Sequence, residues 1–286
     1  MNGVWTSTST YMLIIGTLML TLCTKDSRAE PKPAPLRVLI FSGLHNHDWR
    51  STTPVLQQTF RQCGRFGVVD VTQDPGACDA ETFAKYDVVV SNWTPYPETA
   101  RQWPEATEKA FLDFVNNGGG FVVFHAAACT FQVWPEFQRI IALTWKEGFT
   151  SHAAYHTFNV VIEDNNHPIR KGLRDFHITD ELYQNMVQEV AQELHVLCSA
   201  FSAKEKSGTG KDEPMLVYTR VGKGRGVNLV LGHDAPAMRN VAFQTLLLRG
   251  TEWAATGDVT LSAPDNWPAA PAPPTGQPQV SGASKH

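Results

Sequence analysis

The longest apolar run in this sequence is the thirteen residues Tyr11 to Cys23 (YMLIIGTLMLTLC). A bilayer-spanning helix needs about 20 such residues, so a polytopic membrane protein is excluded. Charge of either sign is scarce: 18% of residues are charged, against roughly 25% in average proteins. The 24 Lys and Arg against 28 Asp and Glu leave a net charge of -4 and no basic run. Nucleic-acid binders carry a clustered positive face, and this chain has none. Cysteine is also sparse, at 5 in 286 residues with no CxxC pair. That excludes a zinc knuckle, a thioredoxin motif and a disulfide-built scaffold. No HExxH helix is present either, nor a glycine-rich loop set between a strand and a helix, so no nucleotide cofactor is expected. What the chain does have is 42% hydrophobic residues, enough for a sizeable core, and ten histidines.

Both ends read as accessory segments. The run Tyr11–Cys23, followed by Ser27-Arg28-Ala29, has the apolar stretch and small-residue cleavage site of an export signal. The expected leader covers residues 1–29, although Met1 to Thr10 lacks the usual positive charge. The mature chain would then begin at Glu30, outside the cytoplasm of a bacterial cell. Residues 30–35 form a Pro-rich linker. Residues 262–286 are rich in Pro, Ala, Gly and Ser and nearly free of aliphatic side chains. Such a stretch cannot bury enough apolar surface to offset its ordering entropy, and it reads as a disordered tail. One domain over residues 36–261 remains.

Within it, strand and helix patterns alternate. Leu36–Phe41, Val68–Val71, Tyr86–Ser91 and Phe121–His125 are short apolar runs typical of strands buried on both faces. Thr52–Cys63 and Glu105–Asn116 carry helical spacing, the second stopped by Gly118-Gly119-Gly120. Alternation of this kind predicts a doubly wound, flavodoxin-like α/β domain, its sheet mostly parallel with helices on both faces. Further strands are expected over Thr157–Ile162, Glu193–Ser199, Pro214–Arg220 and Val227–Gly232. The last two form a hairpin about Gly222-Lys223-Gly224, and Met238–Trp253 closes the fold as a helix.

Ligands of such sheets bind beyond the carboxyl ends of the strands. Polar residues gather there: His45-Asn46-His47-Asp48-Trp49 after the first strand, Ser91-Asn92-Trp93 at the third, His125 at the fourth, and Gly232-His233-Asp234 after the last. Each histidine alone is as well explained as a strand cap. Three at successive strand ends point to one crevice holding His45 or His47, His125 and His233. Ser151-His152-Ala153-Ala154-Tyr155-His156 adds two histidines four apart, which on a helix would chelate a divalent metal. Asp180-Glu181-Leu182-Tyr183 places a carboxylate and a phenol in an irregular stretch. Cys129 follows a strand end but has no adjacent base, so a buried thiol is expected.

Nine segments together carry a resemblance to the trehalose-utilisation (ThuA-like) family: NHDW (46–49), GGGFVVFHAA (118–127), SHAAYH (151–156), HPI (167–169), DELY (180–183), EPM (213–215), GKGR (222–225), GHD (232–234) and RGTEWAATG (249–257). The resemblance implies a fold related to class I glutamine amidotransferases. Those enzymes place a nucleophilic Cys at a strand–helix elbow, where this chain has His125, so glutaminase chemistry is not expected. The resemblance further implies chemistry on glycosides oxidised to a ketone at carbon 3 by a partner sugar 3-dehydrogenase. A 3-ketone acidifies the carbon 2 proton, and the group on carbon 1 then leaves by elimination, with or without later hydration. In this reading His125, Glu181 and His233 are the candidate acids and bases, and Tyr183 donates to the leaving oxygen. Asn46, His47, Asn92 and Asp234 hold sugar hydroxyls, and Trp49, Trp93 and Trp134 stack on sugar faces. If the site holds a divalent metal, His152 and His156 are its expected ligands, with His125 or Glu181 completing the shell. A non-catalytic sugar-binding module and an amidotransferase-like hydrolase without the Cys nucleophile are the alternatives.

Overall fold

Strand β1 (Leu36–Gly43) is buried along nearly its whole length because its alternate side chains serve two separate cores. Val38 and Ile40 face one way, against Val55, Leu56 and Phe60 of helix α1 (Trp49–Cys63). Leu39 and Phe41 face the other, against Phe83 of α2 (Ala80–Phe83) and the residues Phe111 and Val115 of α3 (Glu105–Asn116). A strand that serves two cores must be apolar on both faces, as the run Val38–Phe41 of β1 is. The computed structural model describes residues 33–97, 103–163 and 166–268, with Met1 and Gly3. The expected leader otherwise lies outside the described residues.

The main sheet has nine strands. Its parallel half runs β2 (Phe66–Thr72), β1, β3 (Val88–Trp93), β4 (Gly120–Phe124) and β11 (Gly224–Leu229), in that spatial order. Its antiparallel half continues through β10 (Asp212–Val221), β9 (His195–Phe201), β6 (His156–Ile162) and β7 (Phe176–Asp180). The protein is thus mixed α/β, with the expected parallel frame extended by an antiparallel wing. The two-stranded pair β5 (Ser151–His152) and β8 (Tyr183–Gln184) lies apart from this sheet. Helix α4 (Pro135–Ile141) covers the face of α2 and α3, and α6 (Val241–Thr256) covers the face of α1. Among the described residues no helix is long and apolar enough to cross a membrane.

Three local differences from the sequence pattern have simple causes. Helix α1 begins at Trp49 rather than Thr52, because Asp48 caps it by accepting from the Ser51 amide. The closing helix is split: Asp234 caps the short α5 (Ala235–Met238), and Asn240 caps α6 by accepting from Ala242. The tail does not leave the domain at residue 262. Trp267 donates its indole N–H to the Arg174 carbonyl at 3.0 Å and packs edge-on against Phe176, with ring centres 5.4 Å apart. A large aromatic with a satisfied N–H supplies the apolar area that the surrounding Pro and Ala residues lack. Residues 269–286 lie outside the described residues. Cys63, Cys78, Cys129 and Cys198 are all free.

Candidate active site

At the carboxyl end of the parallel strands the chain turns sharply three times, and each turn delivers a histidine. Beyond β1, His45 is buried and accepts the amide of His47 on its Nδ1 at 3.2 Å, and the His47 ring lies edge-on to those of His125 and His233. Burial pushes His45 down to about 3, so it stays neutral and serves as a support. Beyond β4, His125 adopts the left-handed backbone conformation at φ 42°, which costs a non-glycine residue about 1–3 kcal/mol. Its ring is anchored by the Nδ1–H donated to the Val230 carbonyl at 3.1 Å. Beyond β11, Gly232 takes φ +104°, and a Cβ there would lie 2.5 Å from the Phe243 ring. Only glycine allows that turn, and His233 follows it.

The antiparallel wing brings the carboxylate. Strand β7 ends at Asp180, which is fully buried and accepts three backbone N–H groups: Gly232 at 2.7 Å, Glu181 at 2.9 Å and His233 at 3.1 Å. Burial pushes this carboxyl up to about 7, although all three N–H groups favour its charged form. Asp180 thereby ties the end of β7 to the turn after β11 and fixes Glu181 beside His233. Sequence reasoning missed this role. Its only signal was an Asp ending the alternating run Phe176–Asp180, immediately before the carboxylate that had been noticed.

The result is a compact quartet. Glu181 Oε2 lies 3.0 Å from His233 Nδ1, 3.6 Å from His125 Nε2 and 3.9 Å from His47 Nε2. His125 Nε2 is 3.3 Å from His47 Nε2 and 3.3 Å from His233 Nδ1. The four atoms all lie within 4.8 Å of one another. Burial works against the charged form of Glu181, but the surrounding imidazoles of His125, His233 and His47 outweigh it and hold the carboxyl far below its usual range. His233 is raised above its ordinary value: burial opposes the imidazolium, and the Glu181 carboxylate overcomes that. His125, enclosed on all sides, is pushed down to about 4 by burial.

Above the quartet is a cavity of about 310 Å³, at the small end of ligand pockets, which span about 300–1,000 Å³. His47, Glu181, His233, Asn46 and His152 form its polar side. Tyr96, Cys129, Trp145 and Tyr183 form the aromatic side. His152 is the most open of the histidines here, with 43% of its side chain exposed, and its Nδ1 is 3.6 Å from Glu181 Oε1. It donates Nδ1–H to the Ala153 carbonyl at 2.9 Å, so the lone pair sits on Nε2. Tyr183 is wholly enclosed, with its ring 4.3 Å from that of His125, and burial pushes its phenol well above the ordinary value. The Cys129 thiol is likewise pushed up by burial, which makes it inert as a nucleophile, as expected.

The structure brings together His125, Glu181, His233, His47, Asn46, Tyr183 and His152, and leaves the other candidates elsewhere. His156 starts β6 and donates to the Ala154 carbonyl, outside the quartet. No helix forms between it and His152, so the four-residue spacing does not make a chelating pair. Trp93 and Trp134 are core residues, enclosed by Trp103, Phe131 and the other aromatics on the α2 and α3 side of the sheet. Asn92 is buried and donates to Thr52 Oγ1 at 3.1 Å, tying β3 to α1. Trp49 opens α1 under the guanidinium of Arg50 and does not line the cavity. Asp234 is occupied by its capping bond to the Ala237 amide and by the Tyr155 hydroxyl, 3.1 Å away.

A nine-stranded mixed sheet with histidines at its strand ends and a polar pocket beside them defines an α/β protein, and known proteins share its fold. The family model of ThuA, described as trehalose utilisation, matches residues 37–254. A ThuA-like protein of Parabacteroides merdae is 35% identical, with a TM-score of 0.73 over 82% of this chain and 95% of its own. A ThuA-like protein of Bacteroides uniformis is 22% identical, with a TM-score of 0.61 over 82% of this chain and 96% of its own. None of the curated proteins matches the sequence. The chain belongs to the ThuA family, and that family ties its role to carbohydrate metabolism.

Proposed function

We propose that the protein is an enzyme acting on 3-keto-glycosides, removing the carbon 2 proton and expelling the group on carbon 1. The observation that carries this reading is the quartet of three imidazoles and a carboxylate on the floor of a cavity sized for one sugar ring. His152 is the proton carrier. It is open to the cavity, its Nδ1–H is committed to a carbonyl, and its Nε2 is free. Glu181 was the competing base, but a carboxyl held far below its usual range is too weak to take a carbon-bound proton. His125 cannot touch a substrate from its enclosed position.

In the first step His152 Nε2 takes the carbon 2 proton. The C–H electron pair forms the C2–C3 double bond, and the carbonyl pair moves to the carbon 3 oxygen. That oxyanion faces the quartet, where the His233 imidazolium stabilises it. In the second step the carbonyl re-forms and the electron pair moves to C1–C2. The C1–O bond breaks, and the departing oxygen takes the proton back from His152. Carbons 1 and 2 are neighbours, so one imidazole serves both transfers. Water adding across the new double bond gives net hydrolysis. The ketone must come from a sugar 3-dehydrogenase. The parallel strands are read as the doubly wound frame of the glutamine amidotransferases, reused without their Cys. The leader-like run Tyr11–Cys23 supports work outside the cytoplasm, for which N-terminal sequencing of exported protein is the check.

The test is turnover of 3-keto-glucosides of both anomers with a chromogenic leaving group, comparing wild type with His152→Ala. The expected result is release by the wild type and a loss of about 10²–10⁴-fold in the variant, the scale of a positioned acid or base. Binding of the sugar without turnover would leave a sugar-binding module instead.

A further inference from the structure

We infer that His47, His125, Glu181 and His233 together bind one divalent ion of the zinc class. This deepens the reading above, since such an ion on the cavity floor would hold the carbon 3 oxygen and carry its developing charge. The first argument is metric. An ion bound to nitrogen and oxygen at about 2.0–2.1 Å in a tetrahedron sets its ligand atoms about 3.3–3.4 Å apart. Five of the six separations in the quartet run from 3.0 to 3.9 Å and straddle that value, and the sixth, between His47 and His233, is within 4.8 Å. Ordinary hydrogen bonding is satisfied by pairs; here every atom is near every other.

The second argument concerns orientation. A ligating histidine donates its other ring N–H to a carbonyl or carboxylate, which fixes the tautomer that leaves a lone pair for the metal. His125 does this with Val230, so its Nε2 presents a lone pair to the centre of the quartet. Glu181 and His233, which come from different strands, are set side by side by the single buried carboxylate of Asp180. A support that binds the backbones of two ligands at once is what a metal centre assembled from distant segments requires. The third argument is chemical. Three imidazoles and one carboxylate match zinc and its borderline neighbours, whereas magnesium and calcium prefer all-oxygen shells. Glu181 reaches the quartet through Oε2, leaving Oε1 toward His152. The cavity above lets a substrate oxygen join the four protein ligands as a fifth.

The ligands therefore differ from the His152 and His156 pair that sequence spacing suggested. His47 is a ligand and not a binder of sugar hydroxyls, and His152 is left free for proton transfer.

The experiment uses the untagged full chain. Metal content is measured by mass spectrometry, and chelator-treated protein is titrated with zinc and with cobalt, following the visible cobalt bands of a four-coordinate site. One ion per chain is expected. Glu181→Gln, which keeps the side chain's shape, should weaken zinc binding by about 100-fold or more. Asp180→Asn should weaken it by about 10–100-fold, the usual cost of losing a ligand's support. His156→Ala should leave it unchanged. Circular dichroism of each variant reports folding, and His233→Ala, at a partly open ligand, is the second variant should Glu181→Gln unfold. Absence of any ion and failure to bind zinc or cobalt at micromolar concentrations would overturn the assignment. So would unaltered affinity in folded Glu181→Gln and His233→Ala. Full turnover of a 3-keto-glucoside by metal-free protein would sink the metal and leave the proposed reaction standing. A bound ion without turnover would do the reverse.

Discussion

The two halves of the sheet contribute to the site in different ways. The parallel half supplies His47, His125 and His233 from turns directly after β1, β4 and β11. Those positions are rigid because the strands beneath them are buried on both faces and the turns are fixed by His45, Val230 and Gly232. The antiparallel half supplies Glu181, Tyr183 and His152 from the end of β7 and the detached pair β5 and β8. These elements are short, and Asp180 bonds the end of β7 to the parallel half. The parallel half thus gives a fixed array of imidazoles, and the wing brings Glu181 and His152 to it. In a site built this way, a mutation in the link between the halves acts on the quartet as well.

The comparison can be broken most severely from either side of the quartet. Glu181→Gln in the wing and His233→Ala in the parallel half should each lower kcat/KM on a 3-keto-glucoside by about 10²–10⁴-fold, with unchanged circular dichroism. A large loss from only one half would mean that the other merely frames the cavity. Next in size is the link. Asp180→Asn puts an amide N–H against backbone donors, so turnover should fall by about 10–100-fold. Thermal stability should drop with it, by about 1–3 kcal/mol for buried donors left unpaired. Wild-type activity in a correctly folded Asp180→Asn protein would show that the halves register without it.

A smaller effect is expected at the far edge of the wing. Trp267→Ala removes a partly buried aromatic from Phe176 and one hydrogen bond, costing about 1–2 kcal/mol. For a domain of this size that shifts the melting temperature by about 2–8 °C and leaves kcat/KM unaltered. No shift would return the segment to the status of a free tail. Smallest of all, Trp49→Ala should change kcat/KM by less than about twofold, since its ring lies outside the cavity. A marked rise in KM would restore it as a sugar platform.

The halves also differ in how much of them could be read from the sequence. The strands of the parallel half announce themselves as apolar runs, and the rule that ligands gather at their carboxyl ends led to His125, His233 and His47. The hairpin of β10 and β11 was legible from Gly222-Lys223-Gly224. Strands β5 and β8 are two residues each, too short to show any period, so SHAAYH and DELY stood out only as collections of polar groups. Spacing along such a stretch says little about spacing in space, which is why His152 and His156 separate. The tryptophans misled for the opposite reason. Composition cannot tell a rim from a core, and Trp93 and Trp134 lie in layers that close around them.

The proposed order of bond changes has a direct isotopic test: incubate the protein with a 3-keto-glucoside in deuterium oxide and follow carbons 1 and 2 by NMR. Elimination followed by addition of water predicts that the released 3-keto-sugar carries deuterium at carbon 2, at a rate that falls with aglycone release in His152→Ala. Release of an aglycone with carbon 2 still bearing protium throughout would contradict the account, since the glycosidic bond would then have broken without a proton leaving carbon 2.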